Sequence, residues 1–528
     1  MNSTAAIGSR FTLHGSLCYR TVVKHSALIV AVLALATVLR GWAIDWGAPY
    51  LYHPDEHLVL HPAVNMVREG DLNPHWFQYP SLLIYLQAGV VAGLQPIIHA
   101  PLTTDPAVNR TGPWDALPAQ WPFALGGRLM VVTFAVLGAW LLYRAGAVYS
   151  AAPAGVAAAL FLVSSQLHNE SSHYLTTDVP AATLLTAALL FSAHAAQRHA
   201  VSSFAAAGFF AGLAAGTKYT AGVVLVVPLA VALSSSFRDT LHRGGATIVA
   251  AAAGFLVACP FALLDFPTLW SGIVQQRRNY LHGPGGPNNW RWYLHYLYTL
   301  GLGRPLAVTC AIGLGGGLVR GAGTWAQRRL SLALVVVPVV YFVLLSSYQS
   351  RTERNLIPIL PFICLLGADL GWRITRRLGH GRTAAAAFAL VVCLVAAPGV
   401  LSCLRYDRQL SRQDTRTVAL EWIEANLPPG SRIAREEYTP QVSADRYQVT
   451  YLWSLAFRPQ GWYVDEQFDY LVVSSSVYGR ALYPPYVAGA AGPPFYTRVL
   501  QSLPLAAEFA PAADRPGPAI RIYRVPRA

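Results

Sequence analysis

Apolar runs of about 17 or more residues recur through the first four fifths of the chain, and this feature restricts the possible fold more than any other. Each run is long enough to cross roughly 30 Å of hydrocarbon as a helix. The runs define about eleven candidate spans, at 26–44, 124–143, 151–168, 179–197, 201–216, 220–236, 245–263, 305–319, 330–347, 355–371 and 383–402. Composition agrees: 54% of the 528 residues are hydrophobic and only 12% are charged, about half the charge of an ordinary soluble domain.

The first run follows Arg10, Arg20 and Lys24 without a small-residue cleavage site, which predicts an uncleaved span and a cytoplasmic N-terminus. From that start the inner turns receive Arg144, Arg198, Arg238, Arg243, Arg320, Arg328, Arg329, Arg373, Arg376, Arg377 and Arg382 with almost no acid, the positive-inside pattern. The outer side receives Asp45, Asp55, Glu56, Glu69, Asp71, Asp105, Asp115, Glu170, Asp178, Asp265 and Glu353. Residues 81–99 are apolar enough to span, but a crossing there would invert every later loop, so sidedness predicts an interfacial or re-entrant segment. An odd number of spans leaves the C-terminal part outside. There, alternation over 432–438, 468–474 and 520–525, with a helical stretch over 414–426, predicts a small α/β domain. The expected division is a transmembrane part, 1–403, with a first outer loop at 45–122, followed by an extracytoplasmic domain, 404–528.

Several function classes drop out. The net charge of +14 comes from short clusters between apolar runs, not from a basic stripe interleaved with aromatics, so no nucleic-acid partner is indicated. Six cysteines without paired spacing in a polar loop point to neither a zinc site nor a disulfide framework, and read as small apolar fillers. There is no Gly-rich phosphate loop and no His-Glu-x-x-His. The triplets at Asn109 and Asn169 face outward but would carry glycans only in a eukaryotic secretory compartment.

The chemistry-bearing residues crowd the outer side. The first outer loop holds His53, Asp55, Glu56, His57 and His61, then His75, Trp76 and Tyr79. Adjacent acids just past a span can deprotonate a hydroxyl if a partly dry site raises their pKa; they can equally be solvated helix-capping carboxylates. A second outer turn, His168 to Pro180, places His173 and Asp178 at the mouth of a span, where Asp178 also suits a helix cap. Of 39 Lys plus Arg only two are lysines, and Lys218 lies in a short outer turn between two apolar runs. Its compact ammonium suits a lipid phosphate, or it snorkels to the interface. Arg351 and Arg354 break the positive-inside rule, which suggests either an anion site or simple pairing with Glu353.

The order of these motifs resembles the GT-C fold membrane glycosyltransferases, in the branch of protein O-mannosyltransferases and aminoarabinose (lipid A) transferases. The resemblance lies in His53-Pro54-Asp55-Glu56, Phe77 to Leu82, Gly126-Gly127-Arg128-Leu129, Asp178-Val179-Pro180, Gly212 to Lys218 and Arg354 to Pro361, over about residues 40–365. It departs from the commoner pattern at Gln78-Tyr79-Pro80-Ser81 and at Tyr219. It implies catalytic carboxylates at Asp55, Glu56 and Asp178, a donor phosphate held by Lys218, Arg351 and Arg354, and substrate contacts at His53, Tyr79, Arg128 and His173. The implied reaction is inverting transfer of a monosaccharide from a polyprenyl-phosphate carrier to a protein, lipid or glycan acceptor. It would occur on the outer face of a bacterial cytoplasmic membrane. A polyprenyl phosphate leaves readily once neutralised, so cations replace a general acid. No cofactor is implied and no metal is indicated, although related oligosaccharyltransferases use one. A polytopic transporter or flippase is the alternative, which would place its polar groups mid-span.

Overall fold

A computed structural model describes residues 26–103, 115, 117–282, 289–320, 323–379, 381–482 and 492–526; Arg10, Cys18, Arg20, Lys24, Asp105 and Asn109 lie outside them. The apolar runs are helices. Among the described residues six helices are long and apolar enough to cross a membrane, and comprise Trp121–Tyr149, Asp178–Arg198, Phe237–Ala258, Trp325–Ser347, Leu360–Leu378 and Gly381–Leu410. Shorter apolar helices accompany them at Ser26–Gly41, Leu82–Ile98, Ala152–Val163, Val201–Ala215 and Tyr219–Ala232. Of the roughly eleven spans expected from the sequence, two of them short, two runs break within themselves. Ser164 and Ser165 end the Ala152–Val163 helix, and the run over 220–236 opens as a 3₁₀ turn, Tyr219–Leu225, before the α-helix Val226–Ala232.

Asp178–Arg198 is the central helix, buried over most of its length between Trp121–Tyr149 and Val201–Ala215. A helix that is apolar on all faces belongs in such a position. Thr186 and Ser192 donate within the helix, to the carbonyls of Ala182 and Ala188 at 2.7 Å each, and Thr183 reaches both the Val179 carbonyl at 3.0 Å and the Phe134 carbonyl of Trp121–Tyr149 at 2.8 Å.

Small residues set the closest helix crossing. A Cβ on Gly208 would stand 2.1 Å from the Thr247 carbonyl oxygen, on Gly212 2.0 Å from that of Ala251, and on Gly254 2.2 Å from that of Phe209. The Gly208-x-x-x-Gly212 spacing therefore lets Val201–Ala215 seat directly on Phe237–Ala258, as small-residue motifs do between membrane helices. Gly212→Val is expected to destabilise the detergent-solubilised protein by about 1–3 kcal/mol or more, since backbone and not a flexible side chain must yield. Thermal unfolding followed by size-exclusion chromatography tests this, and a variant as stable as the parent contradicts it.

Within the segment 45–122 lie the helices His57–Glu69 and Leu82–Ile98, packed on each other and, through the second, on Trp121–Tyr149. The expected re-entrant segment 81–99 is this 17-residue helix, and its first residue donates from Leu82 N to the Gly216 carbonyl at 3.1 Å. That bond brings the start of the helix beside the Lys218 turn.

The helix Gly381–Leu410 runs past the expected boundary at 403, and the α/β unit begins with Thr415–Asn426, capped by Asp414, whose carboxylate accepts from Arg416 N at 2.9 Å. Its sheet has strand order β2-β1-β3-β5-β4, with β1 Arg432–Glu436, β2 Gln448–Leu452, β3 Tyr470–Ser474, β4 Leu505–Phe509 and β5 Ile520–Arg524. Strand β1 pairs in parallel with β2 and β3, and β5 is antiparallel to β3 and β4. The inner strands are buried on both faces, Ile433 in one apolar cluster and Ala434 in another, so their pattern is less alternating than a one-sided sheet would give. Strands β2 and β4 lie outside the stretches that the alternation singled out.

This unit is tied to the segment 45–122. The Tyr52 hydroxyl and Thr417 Oγ1 share a 2.9 Å hydrogen bond, Arg416 donates to the Tyr52 carbonyl at 2.9 Å, and Arg435 pairs with Asp115.

Candidate active site

Four charged side chains from four separate segments meet at one end of the helix bundle. Asp55 belongs to the loop that precedes His57–Glu69. That loop is shaped by Gly47, whose φ of 82° lies in the left-handed region and whose Cβ would stand 2.9 Å from the Tyr50 carbonyl oxygen. Asp178 opens the central helix, Lys218 follows Val201–Ala215, and Arg354 lies in the 3₁₀ turn Glu353–Ile359. Arg354 pairs with Asp55, and its Nε stands 3.8 Å from Asp178. Asp178 pairs in turn with Lys218, whose ammonium also donates to Asn355 Oδ1 at 2.8 Å. The result is an alternating chain, Asp55–Arg354–Asp178–Lys218, with no net charge. Asp178 is therefore engaged by a cation and does not act as a cap, and Arg354 is not paired with Glu353.

The chain lines a cavity of about 200 Å³ together with Gln78, Tyr79 and Tyr280. Lys218 has three N–H groups and two are taken, which leaves one for an anion in this space. Burial alone would deprotonate it, but Asp178 holds the ammonium charged and its pKa above the ordinary lysine value. Burial alone would likewise raise the Asp55 carboxyl, yet Arg354 and the neighbouring imidazoles hold it below the usual carboxylate range. The expected raised pKa is corrected here: the countercharge outweighs the dry surroundings.

Asp55 and Arg354 also form one wall of a second cavity of about 870 Å³, which takes in His53, Glu170, Arg351 and Glu353. His53 stacks on Tyr174 with ring centroids 4.3 Å apart, and burial lowers its pKa to about 4, so it is neutral at pH 7. Burial, reinforced by Glu353, pushes Glu170 up to about 7. Arg351 reaches this larger cavity but not the Lys218 cluster; its Nε donates to Asn289 Oδ1 at 2.9 Å and its guanidinium covers Trp292. Tyr79 lines the smaller cavity, where burial holds its phenol well above its ordinary pKa.

Three expected site residues are placed elsewhere. Glu56 and Arg128 are fully buried and form a fork, with Arg128 Nε and Nη2 each 2.7 Å from a Glu56 oxygen. Glu56 also accepts from Leu175 N at 3.0 Å, and Arg128 Nη1 donates to the carbonyls of Ile44 and Trp46 at 3.0 and 2.7 Å. The pair fastens the segment 44–56 to the Trp121–Tyr149 helix and to Leu175, and neither residue lines the cavities. His173 is 1% exposed and its ring nitrogens each meet a carbonyl, of Asn169 and Trp42, at 2.9 Å.

The sequence reading missed other residues of these walls. Gln275, Arg278 and Asn279 stand at i, i+3 and i+4 on the helix Phe266–His282, with Tyr280 beside them. That polar stripe was a usable signal. Tyr438, Trp453 and Arg480 come from the C-terminal unit, and their arrival depends on docking, which no local pattern records. Among the described residues no three of His, Cys, Asp and Glu converge on a common point. The donor set does not fit a divalent ion either: Asp55 and Asp178 already face Arg354 and Lys218, and Glu56 is turned to Arg128.

Residues 124–263 match the family model described as dolichyl-phosphate-mannose-protein mannosyltransferase, a stretch that contains Asp178 and Lys218 but neither Asp55 nor Arg354. No curated protein sequence matches the chain. Among solved structures it is similar to the oligosaccharyltransferase AglB from Archaeoglobus fulgidus in complex with an inhibitory peptide and a dolichol-phosphate: TM-score 0.55, 11% identity, 91% of this chain and 72% of that one covered. It is also similar to ArnT from Cupriavidus metallidurans bound to undecaprenyl phosphate, with TM-score 0.51, 14% identity and coverage of 95% and 97%. Apo ArnT gives a TM-score of 0.53 at 14% identity, with 94% and 98% covered. These likenesses show the fold: the chain is a multi-pass membrane protein of GT-C-like architecture with a small C-terminal sheet unit.

Proposed function

We propose that a chain with this fold and this charge chain is an inverting glycosyltransferase. It would move a monosaccharide from a polyprenyl-phosphate carrier to an acceptor hydroxyl on the outer face of a bacterial cytoplasmic membrane. The observation that carries the reading is the convergence of Asp55, Arg354, Asp178 and Lys218 on one small cavity.

Lys218 and Arg354 supply the positive charge a departing phosphate requires, so no general acid is needed. Asp55 takes the proton of the acceptor hydroxyl, the acceptor oxygen bonds to the anomeric carbon, and the bond from that carbon to the phosphate oxygen breaks with its electron pair. Attack from the face opposite the phosphate inverts the anomeric centre. Asp178 keeps Lys218 charged and aimed. In this reading the donor phosphate draws Arg354 from Asp55 and thereby leaves the carboxylate more basic when the leaving group is in place.

An apolar groove of about 510 Å³ supports a lipid-linked donor. Leu297, Ala307, Leu314, Phe342 and Ile359 line it, and Ile359 closes the same 3₁₀ turn that carries Arg354 and Asn355. A prenyl chain there would extend from a phosphate at Lys218. The ArnT structure holds undecaprenyl phosphate and the AglB structure a dolichol-phosphate, donors of the same chemical kind. Transport is not favoured, because the four charged groups sit at helix ends and turns instead of mid-span.

The test is donor consumption by purified protein in nanodiscs. Polyprenyl phosphates carrying radiolabelled mannose, arabinofuranose or aminoarabinose are presented with and without an extract of outer-envelope acceptors. Release of free polyprenyl phosphate with label moved to the acceptor is the expected result. No release from any of the three, with folded protein, contradicts the reading.

A further inference from the structure

We propose that the C-terminal unit supplies a sugar-ring subsite, in which Trp453 stacks against a carbohydrate acceptor whose hydroxyl reaches Asp55. This deepens the transferase reading and rests on it for the role of Asp55.

The cavity of about 870 Å³ has two unlike walls: His53, Asp55 and Arg354 from the membrane part, and Tyr438, Trp453 and Arg480 from the C-terminal unit. Tyr438 lies close enough to Asp55 to feel its charge, so the second wall ends beside the candidate base. Its φ of 60° is a left-handed conformation, costly for a bulky residue and retained where surrounding structure requires it. Arg480 lies over the Tyr438 ring at 5.1 Å and donates to its hydroxyl at 3.3 Å, which fixes both side chains.

Trp453 follows β2, and its carbonyl accepts from Glu437 N at 3.4 Å. Trp453 is 40% exposed, and its ring is stacked with that of Phe457, which is 66% exposed, with centroids 6.1 Å apart. Trp453 thus brings a large, part-exposed aromatic ring to a polar cavity, an apolar surface that calls for an occupant, while Phe457 stacks on it without lining the cavity.

The rest of the cavity selects the occupant. Guanidiniums of Arg278 and Arg480 supply forked donors, and Glu170 and Glu353 supply acceptors, around that flat apolar face. A sugar ring has this combination, one C–H face and a rim of hydroxyls. The wall is built from the side chains of Tyr438, Trp453 and Arg480, which would meet the flat face and polar rim of such a ring.

Full-length protein in nanodiscs, without donor, is titrated with neutral hexasaccharides of α-mannose, α-glucose, β-glucose and α-arabinofuranose, and binding is read by saturation-transfer NMR. At least one binds the wild type; Trp453→Ala weakens it about tenfold, Phe457→Ala weakens it less, and Trp453→Tyr restores it to within about threefold. Folding of each variant is checked by its elution from size exclusion. Binding unaffected by Trp453→Ala, no hexasaccharide bound by the wild type, or a serine-containing hexapeptide bound through Trp453 in their place overturns the proposal. Because binding is read without donor, a failure of donor consumption strikes the transferase reading alone.

Discussion

Asp55→Asn is expected to lower sugar transfer by about 10²–10⁴-fold, the range lost when a positioned general base is removed. Asparagine keeps the size of the side chain and can still accept a hydrogen bond from Arg354, so the loop should hold its shape. It cannot take a proton. Single-turnover transfer from labelled donor gives the rate, and retention of donor by the same sample shows that binding survives. A variant within about threefold of the wild type removes Asp55 from the chemistry. The pH profile adds a check on the sign. Arg354 holds the Asp55 carboxyl low, so in free enzyme the ionised, active form persists as pH falls. The acid limb of kcat/KM should therefore lie below the ordinary aspartate value of about 3.9 if the protein stays folded there.

Arg354→Gln is expected to act on both partners of that pair. Loss of one pre-positioned cation facing the leaving phosphate should cost about 10²–10³-fold in kcat/KM. It also removes the countercharge that opposes burial at Asp55, whose main remaining influence is the dry surroundings that raise its pKa. A raised pKa means more of the base is protonated at mildly acid pH, so the acid limb must move upward, towards neutrality. Lys218→Ala, which leaves the Asp55–Arg354 pair in place, should lower donor use without moving that limb upward. The comparison separates the two cations. An acid limb that stays put or moves down in Arg354→Gln contradicts the coupling between Arg354 and Asp55.

Much of the site was legible in the order of its parts. Lys218 stands out as one of two lysines, Arg354 as a cation on the wrong side of the positive-inside rule, and Asp55 and Asp178 as acids at helix mouths. What failed was discrimination between neighbours. Asp55 and Glu56 are adjacent acids, equally placed by any sequence argument, yet one reaches the cavity and the other is locked in a fork with Arg128. The direction of each side chain is set by the turn before His57–Glu69. Arg351 and Arg354 divide in the same way, one bonded to Asn289 and the other to the two acids.

The sequence by itself determined the membrane residence, the positions of most of the apolar helices and the strands β1, β3 and β5. These follow from runs of apolar residues and their periods, which act over a few turns of chain. Tertiary structure alone decided three things: which acid is available, that Arg354 holds its pKa down, and that Tyr438, Trp453 and Arg480 complete the cavity. Each depends on groups brought together from distant parts of the chain. Electrostatic and packing energies fall off over a few ångströms in space, and separation along the chain does not encode that distance.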